Sequence, residues 1–212
     1  MTTPADDALS DDELRTLEAI LARLSGPGAL LPPPLFRFVT EVAATPNVDL
    51  LVHDAARGVL LAWRDDPFGR GWHVPGSIIR HREEIAHRLA ACARDELGCD
   101  VSATDGPVAV LQIFDDRGHS LSLCFAATLA GTPARVLDAG ATPERGDLRW
   151  FAAPPPDLYP SHVAYRGLIE SLGRGDPIPV LTQHTGGRDA AQSSPGGTID
   201  PDPAHGLAEP LP

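Results

Sequence analysis

Apolar side chains recur with a helical period in several stretches of the chain. The clearest helix is predicted from residue 83 or 84 to Leu97, and Gly98 follows where a helix commonly ends in the left-handed conformation. Over residues 11–24, leucine and isoleucine repeat at the same spacing behind three acids that suit the positive end of the helix dipole. Weaker helical patterns predict helices over about residues 36–44 and 161–172.

Short apolar and β-branched runs predict the strands. They cover residues 49–53, 58–63, 107–114, 120–129 and 148–152. Turn residues at 54–57 and 115–118 join neighbouring strands, and the charged, glycine-containing segment 64–70 is predicted to be a loop. The order of hairpin, loop, helix, strands and helix indicates an α/β domain with a mixed sheet.

Four segments divide the chain. Residues 1–10 are predicted to be a disordered tail, residues 11–45 a helical N-terminal extension, and residues 46–175 the folded α/β domain. Residues 183–212 hold five glycines and five prolines with scarcely any large apolar side chain, so their burial cannot offset the entropy of ordering. We therefore expect this C-terminal segment to be disordered.

Charge and cysteine content narrow the class of protein. The 29 acidic and 17 basic residues give a formal charge of −12, which argues against binding to nucleic acid or an anionic membrane surface. No apolar run reaches the roughly 20 residues of a membrane span, and the acidic N-terminus does not resemble a signal peptide. Three cysteines are too few for a disulfide framework. These features predict a cytoplasmic protein.

The segment from Trp72 to Gly98 carries the chemical motif. It resembles the motif of the Nudix hydrolase family, which reads Gly, five residues, Glu, seven residues, then Arg-Glu-hydrophobic-x-Glu-Glu-x-Gly. The alignment needs no gap: Glu83 and Gly98 match, Asp95 and Glu96 match the late acidic pair, Ser77 replaces the first Gly, and Ala91 and Cys92 replace the Arg-Glu pair. The motif is therefore degenerate at about half of its charged positions.

The resemblance is to the GDP-mannose mannosyl hydrolase-like branch in particular. That branch also lacks part of the acidic set and ends its motif with Glu-Leu-Gly, as residues 96–98 do here. The similarity extends through residues 117–120 (Arg-Gly-His-Ser) and 149–151 (Arg-Trp-Phe), over roughly residues 48–172. It implies a Nudix-type mixed sheet sandwiched between helices.

The resemblance also implies an activity: metal-dependent hydrolysis of a nucleoside-diphosphate-linked substrate, such as the nucleotide sugar GDP-mannose, with Mg²⁺ or Mn²⁺ as cofactor. By position in the motif or in the wider resemblance, the metal ligands would be Glu96, Asp95, Glu144 and Ser77. The catalytic residues would be Glu83, Glu96 and His119. The substrate-binding residues would be Arg64, Arg80, His119 and Arg145. Arg145 stands about where the branch has its general-base histidine, and Glu83, Glu144 and His119 remain candidates for the base.

Glu96 is the residue with the strongest independent signal. An ideal helix places it about 20° from both Ile85 and Leu89, on the apolar stripe that should face the sheet. A carboxylate there is costly unless a cation or hydrogen bonds compensate it. Two interpretations follow: a functional carboxylate, or an end-of-helix glutamate bonded to the backbone.

The other candidates also have structural interpretations. Asp95 shares a stripe with Arg88 and could belong to a solvated ion-pair face. Glu83 could cap the helix, Arg64 could pair with a neighbouring aspartate, and His119 could be an ordinary residue at a strand edge.

Two functions remain open on the sequence. The first is the hydrolase, with a small-molecule nucleoside-diphosphate substrate as its partner and neither nucleic acid nor membrane involved; a homodimer is compatible with this reading. The second is a catalytically impaired Nudix-fold module that binds a nucleotide or serves regulation. The lost Arg and Glu at positions 91 and 92 motivate the second function, and the survival of Glu83, Glu96 and Arg64 favours the first.

Overall fold

The structure is a computed structural model, and it describes residues 9–24, 31–115, 118–176 and 181–185. The helices are α1 (Asp11–Leu24), α2 (Pro33–Val42), α3 (Ile85–Cys92) and α4 (Arg166–Arg174). A π-helical turn, Ala93–Leu97, continues α3, and a 3₁₀ helix, Pro160–Tyr165, leads into α4. The strands are β1 (Thr45–Asp54), β2 (Gly58–Asp66), β3 (Gly69–His73), β4 (Gly76–Ile78), β5 (Val101–Ala103), β6 (Ala109–Asp115), β7 (Gly118–Leu129), β8 (Leu148–Phe151) and β9 (Leu181–Thr185).

The strands form one mixed sheet. Its main path is β3-β2-β1-β7-β6-β9, with β4 paired to β1, β5 to β7 and β8 to β2. The β1–β7 and β6–β9 pairs are parallel, and the other pairs are antiparallel. The register of the central pair runs from Thr45 opposite Ser120 to Val52 opposite Ala127. The predicted α/β class with a mixed sheet is confirmed.

Apolar side chains fill a core on each face of the sheet, because successive residues of a strand point to opposite sides. On one face, Leu51 and Leu61 belong to a cluster with Ile169 of α4. On the other, Leu50 and Leu60 belong to a cluster with Leu89, Leu97 and neighbouring residues of α3. The sheet therefore lies between α3 and α4, as the family resemblance implies. Among the described helices, none is long and apolar enough to span a membrane.

The helix predicted from residue 83 or 84 is confirmed, and its C-terminus explains the motif spacing. Gly98 adopts φ +69°, the left-handed conformation that ends a helix most cheaply in glycine. The apolar stripe differs from the prediction at its start, since the side chain of Ile85 is exposed. The π turn changes the rotation of the last residues relative to a regular helix, so angles counted from Ile85 do not hold at Glu96.

The segment predicted as a loop at residues 64–70 is largely a hairpin. Strand β2 continues to Asp66, and β3 begins at Gly69. Gly71 has φ +151°, and a Cβ atom there would lie 2.6 Å from the carbonyl oxygen of Asp157. Gly71, which directly follows the predicted loop, is thus required by close backbone approach in a strand. The continuation of β2 places Arg64 and Asp66, two residues apart, on the same face of the sheet.

Both predicted disordered tails contain ordered residues where the structure describes them. Residues 183–185 lie in β9, which pairs in parallel with β6, although they were expected to be disordered. Composition missed this strand because strand addition uses main-chain hydrogen bonds and needs few apolar side chains. Ser10 belongs to the start of α1, where Ser10 and Glu13 form a capping box. Residues 1–8 and 186–212 lie outside the described residues.

Candidate active site

Glu96, at the end of the α3 segment, is the centre of the site. Its flanking neighbour Leu97 is buried in the core, whereas the Glu96 side chain keeps 25% of its surface exposed. Oε2 of Glu96 lies 3.2 Å from Nε2 of His73, at the end of β3. Oε1 lies 3.5 Å from Nη2 of Arg64, in β2. The fold therefore brings the predicted residues Arg64 and Glu96 together and adds His73 to them.

Arg64 is held from its other side by residues near the same end of the sheet. Its Nε atom lies 4.0 Å from Oδ2 of Asp66, and its guanidinium carbon lies 5.5 Å from the centre of the Tyr159 ring. The hydroxyl of Tyr159 donates a 2.8 Å hydrogen bond to Oδ1 of Asp66. This arrangement fixes the guanidinium at the surface of the site before any ligand binds.

The surroundings keep Glu96 ionised. Burial by itself would raise the pKa of Glu96, but the hydrogen bond from His73 and the positive charges of Arg64 and Arg145 together lower that pKa below its usual value. Burial lowers the pKa of His73, against the effect of Glu96, so we expect a neutral ring that donates Nε2–H to the carboxylate. Arg145, whose side chain is exposed, is thus close enough to Glu96 to act on it electrostatically.

A second carboxyl group, that of Asp49 in β1, lies buried behind Glu96. Its side chain is 3% exposed, and its Oδ2 accepts a 2.8 Å hydrogen bond from the hydroxyl of Tyr165. Burial raises the pKa of Asp49 to about 6, against the hydrogen bonds from Tyr165 and Ser122. Gly76 makes room for this carboxyl, because a Cβ atom on Gly76 would lie 1.9 Å from Oδ1 of Asp49.

The pKa of Asp49 predicts a pH-dependent stability. The folded state protonates Asp49 at about pH 6 and the unfolded chain near 3.8, so the folded state binds more protons between these values. The contribution of Asp49 to stability is then fully present below about pH 4 and is lost as the pH rises to 6. We expect the stability of Asp49→Asn relative to the wild type to rise by up to about 3 kcal/mol between pH 4 and pH 7.

Urea unfolding at a series of pH values measures this difference. The matched control is Asp105→Asn, which makes the same substitution at an exposed aspartate. A stability difference between Asp49→Asn and wild type that stays constant from pH 4 to pH 7 contradicts the prediction.

Cys92, which replaces the first glutamate of the acidic set, cannot act as that glutamate would. The side chain is buried, and burial, followed by the charges of Glu96 and Asp49, raises the pKa of its thiol well above the usual value. The thiol is therefore neutral, and it is a poor ligand for a hard cation.

Glu83 serves the start of the helix. Its Oε2 accepts a 2.9 Å hydrogen bond from the backbone N–H of Arg80, and its Oε1 lies 3.0 Å from Nδ1 of His87 and 3.7 Å from Nη1 of Arg88. These contacts hold the turn before α3 and the buried Arg88, but they do not cap the helix, because Glu83 accepts no hydrogen bond from the first turn of α3 and the N-cap residue is Glu84. The buried Arg88 also reaches Asp95, with Nη2 3.6 Å from Oδ2, so it pairs with two of the motif acids.

Two of the four predicted metal ligands, Asp95 and Glu144, have arginine partners of their own. The Asp95 side chain is 73% exposed and pairs with Arg88, and the Glu144 side chain is 80% exposed and pairs with Arg135 at 3.1 Å. Ser77 lies in β4, opposite Val48 and next to the Gly76–Asp49 pair. In the part of the chain that the structure describes, no three His, Cys, Asp or Glu side chains are grouped so that they could hold a metal ion.

His119 is also separate from Glu96. It lies near the start of β7, where its ring stacks on Phe114 at 4.5 Å and its Nε2 is 3.0 Å from Nε2 of Gln112. Cys124, five residues further along β7, pairs with Asp49, so His119 is about 17 Å from that position along the strand. The structure does not bring His119 to the Glu96 carboxylate.

Three residues of the site, Asp49, His73 and Tyr159, were not among the predicted site residues. Asp66 was expected only as a possible partner of Arg64, and it lies 4.0 Å from it. The sequence does give one indication for Asp49: an acid within an apolar strand costs free energy to bury, so it needs hydrogen-bond partners there. His73 was interpreted as packing beside Trp72, and its contact with Glu96 could not be read from the chain.

The donor chemistry of the site fits a divalent cation in one specific way. Mg²⁺ in proteins is commonly bound by one or two carboxylates together with substrate phosphates. Glu96 supplies one partly exposed, ionised carboxylate, and one of its oxygens already faces the cationic guanidinium of Arg64. The described residues therefore fit a cation that shares its ligands with a bound diphosphate, with Glu96 as the protein ligand.

Comparisons with known proteins give the fold. No family model matches the sequence, and no curated protein matches it. A UDP-X diphosphatase structure superposes with a TM-score of 0.51 at 13% identity, covering 81% of this chain and 84% of that chain.

Two further similar structures are those of a hydrolase and a pyrophosphatase. A NUDIX hydrolase from Nitrosomonas europaea has a TM-score of 0.48 at 18% identity over 68% of this chain and 80% of that chain. An ADP-ribose pyrophosphatase from Streptococcus suis has 0.46 at 15% identity over 68% and 100%. This chain therefore shares its fold, a mixed sheet between α3 and α4, with the UDP-X diphosphatase structure.

Proposed function

We propose that this chain hydrolyses a nucleoside-diphosphate-linked compound, such as a nucleotide sugar of the GDP-mannose type, with Mg²⁺ or Mn²⁺. The observation that carries the proposal is the position of the ionised Glu96 carboxylate, partly exposed, against Arg64 and within the electrostatic reach of Arg145. A carboxylate beside the Arg64 guanidinium, with the charge of Arg145 within electrostatic reach, provides groups of both signs, which a metal–diphosphate complex requires. The Nudix-type fold of the chain is consistent with this choice.

The arginines are assigned to the phosphates. A planar guanidinium can donate two parallel hydrogen bonds to phosphate oxygens, and its charge persists at every physiological pH. Arg64 is held by Asp66 and Tyr159, so little side-chain entropy remains to be lost when it contacts a ligand. When bound, a divalent cation neutralises phosphate charge and stabilises the leaving group.

Glu96 and His73 are assigned to the reacting end of the substrate. The neutral His73 orients one oxygen of Glu96, and the lowered pKa keeps the carboxylate ionised and able to bind a cation. Glu83 is bonded to the backbone of Arg80 before α3, and His119 lies near the start of β7, so we assign the base to neither of them. Their catalytic roles, and those of Asp95, Glu144 and Ser77 as ligands, are not part of the proposal.

A second function is favoured by one observation, the buried neutral thiol of Cys92 at a position where the motif has a carboxylate. With one fewer anionic ligand, the site could bind a nucleotide without turning it over. The chain would then be a nucleotide-binding or regulatory module.

For both functions the proposed partner is a small molecule. A cytoplasmic location and a homodimer are expectations that accompany the proposal.

Calorimetric titration together with product analysis distinguishes the two functions. GDP-mannose and ADP-ribose are titrated with and without Mg²⁺ or Mn²⁺, and the same mixtures are analysed for products. Turnover with either metal supports the hydrolase, whereas tight binding with no product in either metal supports the binding module. Hydrolysis in ¹⁸O water then shows whether water attacks phosphorus or the anomeric carbon, from the product that carries the label.

Replacing Arg64 by Ala is expected to weaken binding of the diphosphate ligand by about 1.5–3 kcal/mol, because one charge-assisted contact to phosphate is lost. Stability should change less than binding, because removing the guanidinium also removes the cost of keeping a partly buried charge out of water. Titration calorimetry and thermal melting measure the two effects. The control is Arg94→Ala, which removes a surface arginine paired with Asp100. Equal dissociation constants for Arg64→Ala and wild type would exclude Arg64 from the site.

A further inference from the structure

Arg64 and Glu96 contact each other, and each of them has further partners. Oε2 of Glu96 is held by His73 at 3.2 Å, while Oε1 faces Nη2 of Arg64 at 3.5 Å. On the arginine, Nε faces Asp66 at 4.0 Å and the guanidinium lies over Tyr159. The contact between Oε1 and Nη2 can therefore open while each side chain keeps its other partners.

The same two side chains are the groups that ligands of opposite charge would use. A diphosphate that binds alone draws Arg64 away and leaves Glu96 without its nearest cation, beside added negative charge. A divalent cation that binds alone takes Glu96 and repels the guanidinium of Arg64. When both arrive, the cation compensates Glu96 and the phosphate compensates Arg64, so no charge is left unpaired in this partly buried place.

We propose that the Arg64–Glu96 ion pair couples the binding of a diphosphate to the binding of a divalent cation, by holding both residues together until both ligands are present. The inference deepens the proposed function, because it assumes that the diphosphate-linked ligand of that proposal occupies this site. What it adds is that the ion pair weakens the binding of either ligand when the other ligand is absent. Coupling of this kind is reciprocal: the cation strengthens diphosphate binding by the same factor as the diphosphate strengthens cation binding.

Partial burial is what gives the ion pair enough strength for this role. The side chains of Arg64 and Glu96 are 24% and 25% exposed. Pairs between fully exposed residues are weakened by water and salt, whereas charges in a partly buried setting are screened less. A pair on the open surface at the same separation offers a direct comparison: Nη1 of Arg94 lies 3.5 Å from Oδ1 of Asp100, with both side chains mainly exposed.

The test uses methylenediphosphonate, a diphosphate analogue that is not hydrolysed and that does not depend on the base or sugar. Its affinity for the full chain is measured by calorimetry with and without Mg²⁺. For the wild type and for the control Arg94→Gln, we expect Mg²⁺ to tighten binding about tenfold or more. Complex formation between Mg²⁺ and the probe in solution is common to every variant, so differences between variants report on the protein.

Two neutralising variants separate the halves of the ion pair. Glu96→Gln should bind the metal-free probe several-fold more tightly than the wild type, because Arg64 is released, and the effect of Mg²⁺ should fall to less than about twofold. Arg64→Gln should bind the probe weakly in either condition. It should bind Mn²⁺ alone, detected by electron paramagnetic resonance, several-fold more tightly than the wild type does. Thermal melting confirms that each variant is folded.

The inference is overturned if Glu96→Gln binds the metal-free probe no more tightly than the wild type and keeps the full effect of Mg²⁺. It is also overturned if Arg64→Gln shows no gain in Mn²⁺ affinity. In both cases the hydrolase proposal stands or falls separately, on product formation from the nucleotide substrates. If the wild type binds no diphosphate under any condition, both the coupling and the proposed function are wrong.

Discussion

Replacing Glu96 by Gln is expected to lower hydrolysis of the nucleoside-diphosphate substrate by about a hundredfold or more, with the fold intact. Glutamine keeps the size of the side chain and removes its charge. That charge is the one ionised carboxylate that the described site offers to a cation, and His73 and Arg64 both face it. Stability should be unchanged or raised, because a partly buried carboxylate no longer has to be desolvated. Initial rates at saturating Mg²⁺ and thermal melting measure the two effects.

The matched control for this variant is Glu84→Gln, which makes the same substitution at an exposed position just before α3. It should retain wild-type activity. Activity of Glu96→Gln equal to that of the control would mean that the motif helix contributes no catalytic charge, and that hydrolysis depends on a site elsewhere. Product formation by wild type is the precondition for this comparison.

Replacing Gly76 by Ala is expected to destabilise the fold by about 1–3 kcal/mol or more and to impair the site as well. The added Cβ atom would lie 1.9 Å from Oδ1 of Asp49 and 3.2 Å from the carbonyl oxygen of Val48. The Asp49 carboxyl is buried and hydrogen-bonded to Tyr165, so it cannot move aside without losing that bond. Urea unfolding measures the change in the free energy of unfolding.

A double-mutant cycle checks the cause of this destabilisation. In an Asp49→Ala background the obstructing oxygen is absent, so Gly76→Ala should cost much less there than in the wild type. Gly106→Ala is the control, because a Cβ atom on Gly106 meets no atom within 4 Å. If the cost of Gly76→Ala were the same in both backgrounds, contact with Asp49 would not be its cause.

Periodicity predicted much of the fold because the two sides of the sheet and one side of α3 bury regular stripes. The continuous apolar run at residues 58–63 and the helix that ends at Gly98 were both readable for this reason. The continuation of β2 beyond Trp63 and the strand β9 were not. Apart from Leu181 their residues are polar, and backbone pairing with another strand, rather than local composition, orders them.

The candidate site was predicted less completely than the fold. Motif spacing identified Glu96, and the resemblance identified Arg64, but a motif gives sequence register and not side-chain direction. Asp95 is one residue from Glu96, yet it points to Arg88, since successive helical residues are about 100° apart. Glu144 pairs with Arg135, a competing partner nine residues away. The Arg88–Asp95 pair follows the shared helical stripe read from the sequence, whereas no periodic pattern records the loop contact between Glu144 and Arg135.

The strand β9 has a consequence for how the protein behaves at high concentration. Strand β6 is rich in apolar residues, and β9 occupies the hydrogen-bonding groups along its outer side. Without that cover, β6 would present free N–H and C=O groups to other chains and could start intermolecular sheet growth. The strand that takes its place is five residues long, and four of those residues, 182–185, are polar. The outer margin of the sheet is thereby a poor template for self-association.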